Sequence, residues 1–413
     1  VTTQAASQNA SPGSVRKMKV GVAGLGAGAV AVIRAMASSP HVQITAAADV
    51  RDEALAAFQQ RFGARTYHTV AELCDDPEVE VVWISTPNQF HCEHTITAAE
   101  RGKHVVIEKP MALNLEEAQR MTEAVEKHGV NLLCGHTASL MAANQEMRRV
   151  VAGGELGRLC AINVWSYTDW MFRPRMPQEV DLKTGGGVVY RQGPHQVDTV
   201  RLLGGGKVRS VRGQIGKWFP GSGRDIEGYY SAFIEFEDGT PATIVHNGYG
   251  YFSTSELVPW STNRSGPNQQ MMELRKALKS GNVNADQEAR MKNTFRFGGE
   301  RETQESAAPE RPQSTGFQPD LGIVIASCER GDVRQAPHGL WLYDDDGQRE
   351  VPVEGIHDER MAELDEMYQA ITTGRKVRHD GRWGTATLEV VLAIRQSALE
   401  HREIMMSHQC AAY

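Results

Sequence analysis

The first third of the chain alternates short apolar runs with amphipathic stretches. Met18 to Ala23 is apolar apart from Lys19 and runs into a glycine-rich turn and an Ala/Val/Ile helix. Further apolar runs fall at Ile44 to Ala48, near Thr66 to His68, and at Val79 to Ile84, Val105 to Ile107 and Val130 to Cys134. Runs this short, bounded by turn residues, predict buried strands. Between them the spacing predicts helices over Asp52 to Arg61 and Val70 to Cys74, from His91 to Gly102, and over Leu115 to His128. Asn114 and Glu117 form a capping-box-like start for the last of these, and Gly129 closes it. Six strand-and-helix units within ~120 residues describe a doubly wound parallel sheet.

After a helix near Ala143 to Ala152 the period changes. Long alternating segments at Arg158 to Tyr167, Val208 to Trp218, Tyr229 to Phe236 and Pro241 to Tyr249 predict strands, with Asp238-Gly239 as a hairpin signal. Strands near Leu321 to Ala326 and Leu340 to Tyr343 resume this sheet, and helices at about Asp358 to Thr372 and Thr385 to Leu399 close the chain. The fold class is therefore α/β followed by α+β, the second sheet mostly antiparallel. The expected organisation is a disordered tail at 1–17, a dinucleotide-binding domain at 18–140, and a substrate-binding and oligomerisation domain at 141–413. A polar insertion at 253–319 carries one amphipathic piece, Met271 to Leu278; it could cover a site, form a subunit contact or be plain loop.

Composition narrows the chemistry. With 413 residues and 40% hydrophobic content the chain can bury two sizeable cores. Lys+Arg 44 against Asp+Glu 51 leaves no basic footprint for nucleic acid or an anionic membrane. No apolar run approaches the ~18 residues of a transmembrane helix, and the N-terminus lacks a signal-peptide core. The expectation is a cytoplasmic protein acting on a small molecule. Cys74, Cys92, Cys134, Cys160, Cys328 and Cys410 are scattered, as reduced and mostly buried thiols would be.

The turn after the first strand reads Gly24-Leu25-Gly26-Ala27-Gly28-Ala29, a G-x-G-x-x-A pattern between strand and helix. Gly24 permits the turn, Gly26 lets backbone approach a pyrophosphate, and Ala29 allows close helix packing. Asp49, 25 residues after Gly24 and at the end of the second strand, is placed to accept from ribose hydroxyls. Its charge favours NAD. Arg51 keeps NADP open, although a solvated side chain at a helix start is the plainer reading of that residue. Ser85-Thr86-Pro87-Asn88 and Glu108-Lys109-Pro110 end two further strands on the ligand side of the sheet. Lys109 is thus aimed at a site, with an ordinary loop lysine as the alternative, and the Lys109-Pro110 bond is a candidate cis peptide. His91-Cys92-Glu93-His94 lacks the further ligands a zinc site needs, so no metal is expected.

In the second domain Gly185-Gly186-Gly187 leads into a helix with His195 and Asp198 on one face, either as an imidazole oriented by a carboxylate or as structural polar groups. Together, the glycine turn, Thr86-Pro87 with His91 and Glu93, Glu108-Lys109-Pro110 and the Gly-Gly-Gly…His195-x-x-Asp198 helix resemble the Gfo/Idh/MocA oxidoreductases. That resemblance spans Lys19 to about Leu399. It implies an N-terminal Rossmann domain, a C-terminal α+β domain with an open sheet, bound NAD (NADP possible), and a homodimer or homotetramer packed through that sheet. It further implies cofactor contacts from Gly24, Gly26, Ala27, Asp49, Arg51, Thr86, Pro87, Asn88, His91, Glu108 and Lys109. Lys109 and His195 match the family's catalytic lysine and histidine.

The family's usual aspartate, four residues before the histidine, is Arg191 here. A fixed cation in that place points to an anionic substrate. Trp165-Ser166-Tyr167-Thr168-Asp169-Trp170-Met171-Phe172-Arg173-Pro174-Arg175 adds aromatics and two arginines, suited to a flat carboxylated ring, or else two solvated loop arginines. With Asp380-Gly381-Arg382-Trp383-Gly384, this resembles one branch, the bacterial phthalate cis-4,5-dihydrodiol dehydrogenases. Arg173, Arg175, Arg191, His195 and Asp198 are then the expected substrate contacts, the substrate being a small anionic diol derived from an aromatic ring. A sugar, inositol or hydroxy-acid dehydrogenase is the alternative within the family; a non-catalytic NAD(H)-binding regulator is the alternative outside enzymes.

Overall fold

Six parallel strands form the first sheet of the computed structural model, which describes residues 16–136, 138–218, 224–260, 269–307, 321–354 and 358–413. The expected tail at 1–17 lies outside the described residues apart from Arg16 and Lys17. The elements run β1 (Met18–Ala23), α1 (Ala27–Ser38), β2 (Val42–Ala48), α2 (Asp52–Phe62), β3 (Arg65–Tyr67), α3 (Val70–Asp75), β4 (Val81–Ile84), α4 (His91–Glu100), β5 (His104–Glu108), α5 (Leu115–His128) and β6 (Leu132–Gly135). Their order in the sheet is β3-β2-β1-β4-β5-β6. The chain reverses direction across the sheet between β1 and β4, which opens a crevice at their carboxyl ends. The central strands are apolar over most of their length because helices cover both faces. Asn114 Oδ1 accepts from Glu117 N at 2.9 Å and Gly129 takes φ 66°, so α5 starts and stops where its sequence signals lie.

The second half holds α6 (Ala142–Gly153), β7 (Leu159–Tyr167), α7 (Val188–Leu203), β8 (Val208–Gly216), β9 (Tyr229–Phe236), β10 (Pro241–Asn247), α8 (Gln269–Lys279), α9 (Ala285–Asn293) and α10 (Glu300–Ala307). Strands β11 (Ile323–Cys328), β12 (Gly331–Gln335), β13 (Gly339–Asp344) and β14 (Gly347–Pro352), helices α11 (Glu359–Thr373) and α12 (Gly381–Glu400), and β15 (Ile404–Met405) complete it. The nine-stranded sheet runs β14-β13-β12-β11-β7-β10-β9-β8-β15 and is antiparallel except for the β7–β10 pair. Helices α7 and α12 bury one face, where Val197, Val200, Val390 and Ile394 meet Val211, Tyr230 and Ile244 in one core. Trp165 and Phe233 remain exposed on this sheet.

Three features depart from the sequence reading. Helix α11 packs on the first sheet, where Leu364, Met367 and Ala370 join Met18, Val20 and Ile33 in a single core. A boundary at 141 therefore does not describe where α11 goes, because its apolar stripe fits α1 and contiguity in sequence cannot reveal that. Strands β12 and β14 were not foreseen; they extend the sheet as hairpins on β11 and β13. The described part of the insertion at 253–319 contains three helices instead of one. Helices α9 and α10 are so rich in charge that they carry no apolar stripe to read.

Candidate active site

The carboxyl ends of β1, β4 and β5 border a groove of about 480 Å³ that also reaches α7, the loop after β7 and the insertion. At one end lies the glycine turn. Gly24 has φ 90°, and a Cβ there would sit 2.8 Å from the Ser85 carbonyl oxygen, so β1 and β4 close together only around glycine. Gly26 caps α1 without a side-chain partner, and a Cβ on it would meet nothing within 4 Å. The first-turn N–H groups of α1 therefore face open space, as a dinucleotide diphosphate requires. These residues fit NAD.

Asp49 stands on the groove wall, accepting from Leu25 N at 2.7 Å. Arg51 folds back over it, Nε 3.1 Å from Asp49 Oδ1 and Nη2 2.7 Å from the Leu25 carbonyl. Arg51 is thus docked at the ribose end and not the solvated side chain that the sequence favoured. Ala27, Thr86, Pro87 and Asn88 line the groove. Asn88 Nδ2 donates to the Thr184 carbonyl at 3.0 Å and sits 2.9 Å from where a Gly185 Cβ would be, which explains one glycine of the triplet. His91 borders the groove, but its ring is spent on structure. It bridges the Pro110 and Thr86 carbonyls at 2.9 Å each and pins the two loops together.

Lys109 projects from the end of β5, with a cis bond to Pro110. Its Nζ donates to the Arg191 carbonyl at 3.0 Å. Burial, and then the Arg191 guanidinium, disfavour the ammonium and bring Lys109 down to about 8. Glu108 lines the groove but is held by Arg360 of α11, Nη1 to Oε1 2.7 Å, and receives Trp83 Nε1 at 3.4 Å.

His195 lies behind this wall and is buried. Its Nδ1 donates to the His136 carbonyl at 3.1 Å, which leaves the lone pair on Nε2. Burial and the nearby Lys109 push it well below the usual histidine range, so it stays neutral where the sequence reading had it titrating near neutrality. Asp198 is a correction. Its carboxylate is fully buried away from the groove and accepts from Ser139 Oγ, Trp383 Nε1 and, at 3.3 Å, Thr387 Oγ1, with His379 Nε2 at 3.2 Å. Burial opposes its ionisation, yet His379 and His136 outweigh that and hold it well below the usual carboxylate range. Asp198 ties α7 to α12 and does not line the groove.

The candidate arginines divide. Arg173 is half exposed at the rim and paired with Asp169 at 2.9 Å. Arg175 is buried and largely committed: Nη2 donates to the Trp170 carbonyl at 2.8 Å, the guanidinium stacks 3.7 Å over the Trp170 ring, and Nη1 is 3.3 Å from Glu179 Oε1. Arg191 lines the groove, and its buried Nε, like that of Arg175, has no hydrogen-bond partner among the described residues. The sequence reading missed Glu179, Lys292, Arg296 and Arg360, all on the groove wall. Among the groove-lining residues, Arg51, Lys109, Arg173, Arg175, Arg191, Lys292, Arg296 and Arg360 stand beside Asp49, Glu108 and Glu179, eight basic side chains against three acidic ones, with Asp169 and Glu363 pairing Arg173 and Arg360 from behind the lining. Such a surplus in a low-dielectric cleft attracts anions.

Among the described residues no group of three or more His, Cys, Asp or Glu is placed to hold a metal ion, and no helix is long and apolar enough to cross a membrane. The six cysteines are free thiols, with Cys74, Cys92 and Cys134 buried.

Residues 18–136 match the model of an oxidoreductase family with an NAD-binding Rossmann fold, and residues 144–254 match the Gfo/Idh/MocA C-terminal domain. The chain is 32% identical over 382 residues to 1-carboxy-3-chloro-3,4-dihydroxycyclohexa-1,5-diene dehydrogenase of Comamonas testosteroni, covering 91% of this chain and 94% of that one. A structure described as a dehydrogenase from Bordetella bronchiseptica RB50 superposes with a TM-score of 0.85 at 34% identity, over 94% of this chain and 100% of that one. Levoglucosan dehydrogenase, solved with NADH and levoglucosan, shares the fold at a TM-score of 0.70 and 18% identity, over 94% and 99%. The chain belongs to the Gfo/Idh/MocA family of NAD-dependent dehydrogenases.

Proposed function

We propose that the protein oxidises a phthalate cis-dihydrodiol, the 4,5 isomer, to dihydroxyphthalate with NAD as acceptor. The observation that carries this reading is Arg191: a guanidinium with a buried, unpartnered Nε, on the same groove wall as Lys109, where the family places an aspartate. A guanidinium fork is shaped for a carboxylate. The Comamonas relative is named for a carboxylated ring diol, which supports the same class.

In this reading Lys109 is the base. Held at about 8, its amine is partly neutral at physiological pH and can take the proton of the carbinol hydroxyl. NAD, when bound, supplies the acceptor for the hydride leaving the same carbon. His195, neutral beside Lys109 with its Nδ1 on the His136 carbonyl, is the second group that the family resemblance assigns to the proton path. Arg191 holds a ring carboxylate so that the reacting carbon faces the cofactor. The resulting hydroxy-ketone then loses its remaining carbinol C–H proton while the ketone oxygen gains one, giving the aromatic catechol. Aromatisation drives the reaction one way. The exposed Trp165 and Phe233 support the homodimer or homotetramer implied by the family resemblance, an assembly that light scattering would read.

The test is NAD reduction by purified protein on phthalate cis-4,5-dihydrodiol, its 3,4 isomer, myo-inositol and common aldoses, with NADP in parallel. Turnover restricted to a phthalate diol is expected. Turnover restricted to neutral polyols would remove the role given to Arg191.

A further inference from the structure

The insertion ties the two domains together across the groove. On the side of the second domain, Arg275 of α8 lies 4.1 Å over Phe172, and Glu288 of α9 accepts from Arg175 N and pairs with Arg224. On the side of the first domain, Phe297 is buried against Phe58 and Phe62, with ring centroids at 5.5 and 6.2 Å, and Glu302 of α10 pairs with Arg61 at 2.8 Å. The stretch between these anchors crosses the groove and lines it with Lys292 and Arg296.

Lys292 therefore has a fixed place. Its Nζ is 3.7 Å from Glu179 Oε1, an ion pair without a hydrogen bond, while the same oxygen is 3.3 Å from Arg175 Nη1. Glu179 is one carboxylate among Arg175, Lys292 and Arg191. Burial opposes its ionisation, but these cations outweigh it and hold Glu179 at about 2, so it is fully charged. Since Arg175 is committed to Trp170 and Glu179, the corner formed by Lys292 and Arg191 is under-compensated by a single acid.

We propose that Lys292 is a specificity-determining residue that binds a second ring carboxylate of the substrate, the first being held by Arg191. This deepens the phthalate reading and rests on it. The diol named for the Comamonas relative carries one carboxyl group; the present groove is built for two. The insertion is then part of the active site, contributing a substrate contact from outside the residues matched by either family model.

The test is steady-state kinetics of Lys292→Met and Lys292→Arg on phthalate cis-4,5-dihydrodiol and on a cis-dihydrodiol bearing a single ring carboxylate. Losing a charged hydrogen bond should raise KM for the dicarboxylate by about 10–100-fold with little change in kcat. KM for the monocarboxylate should change far less, Lys292→Arg should recover part of the loss, and the Kd for NADH should stay at the wild-type value. Equal changes on both diols, a change in NADH affinity of the same size, or no change on the dicarboxylate would overturn the assignment. Wild-type enzyme that oxidises neither carboxylated diol would overturn the phthalate reading and Lys292's role together. Wild-type turnover matched by Lys292→Met would overturn the role of Lys292 alone.

Discussion

In the proposed mechanism Lys109 is the residue whose protonation sets the chemistry. Burial and Arg191 both lower it to about 8, and a base must be neutral to act. kcat/KM for diol oxidation should therefore rise with pH through about 8 and level off above it. Arg191→Met removes a neighbouring cation, relieves the ammonium and should move that limb to higher pH, which a pH–rate profile reads directly. An unmoved limb would show that another group titrates. Asp198 makes the opposite case, a charged residue one helical turn from His195 with a structural role. Asp198→Asn weakens the buried acceptor shared by Ser139, Trp383 and Thr387 and should cost roughly 1–3 kcal/mol in urea unfolding. KM for the diol should stay near the wild-type value, whereas a substrate contact would raise it.

At the scale of elements, the β1–α1 turn is the best-determined part of the site. Gly26 has room for a side chain in the protein itself, since a Cβ there meets nothing within 4 Å. The proposed occupant of that space is the cofactor diphosphate. Gly26→Val should fold with an unchanged Tm while the Kd for NADH, followed by fluorescence, rises by at least about tenfold. A fall in Tm with cofactor affinity intact would mean that this glycine serves the fold instead. Helix α7 was read correctly as an element, yet the spacing that placed His195 and Asp198 on one face could not tell which neighbours that face would meet. His195 turns its Nδ1 to the His136 carbonyl, and Asp198 reaches into α12.

For the whole molecule, the insertion adds a tie between the two halves beside those made by α11 and α12. Phe297 lies in the core of the first domain although neighbouring α9 docks on the second. Phe297→Ala should cost about 3–5 kcal/mol by cavity formation. It should also raise KM for the dicarboxylate, because the anchor that fixes Lys292 is gone. Chemical denaturation and steady-state kinetics on the one variant read both effects; a stability loss with unchanged KM would separate the anchor from the site.

Much of this was determined by the sequence alone. The strand–glycine–helix turn, the alternation that builds the parallel sheet, and the delivery of Lys109 to a strand end all depend on residues close in the chain. Backbone geometry, helix capping and two-residue or 3.6-residue periodicity act at that range. Tertiary structure alone decided which charges share the groove. Arg175 is drawn off by Trp170 and Glu179, Asp198 by α12, and Lys292 enters from more than a hundred residues beyond Arg175 because anchors on both domains carry it there. Whether a charged side chain serves a ligand or the protein depends on which partners long-range packing brings beside it, and local periodicity carries no record of those partners.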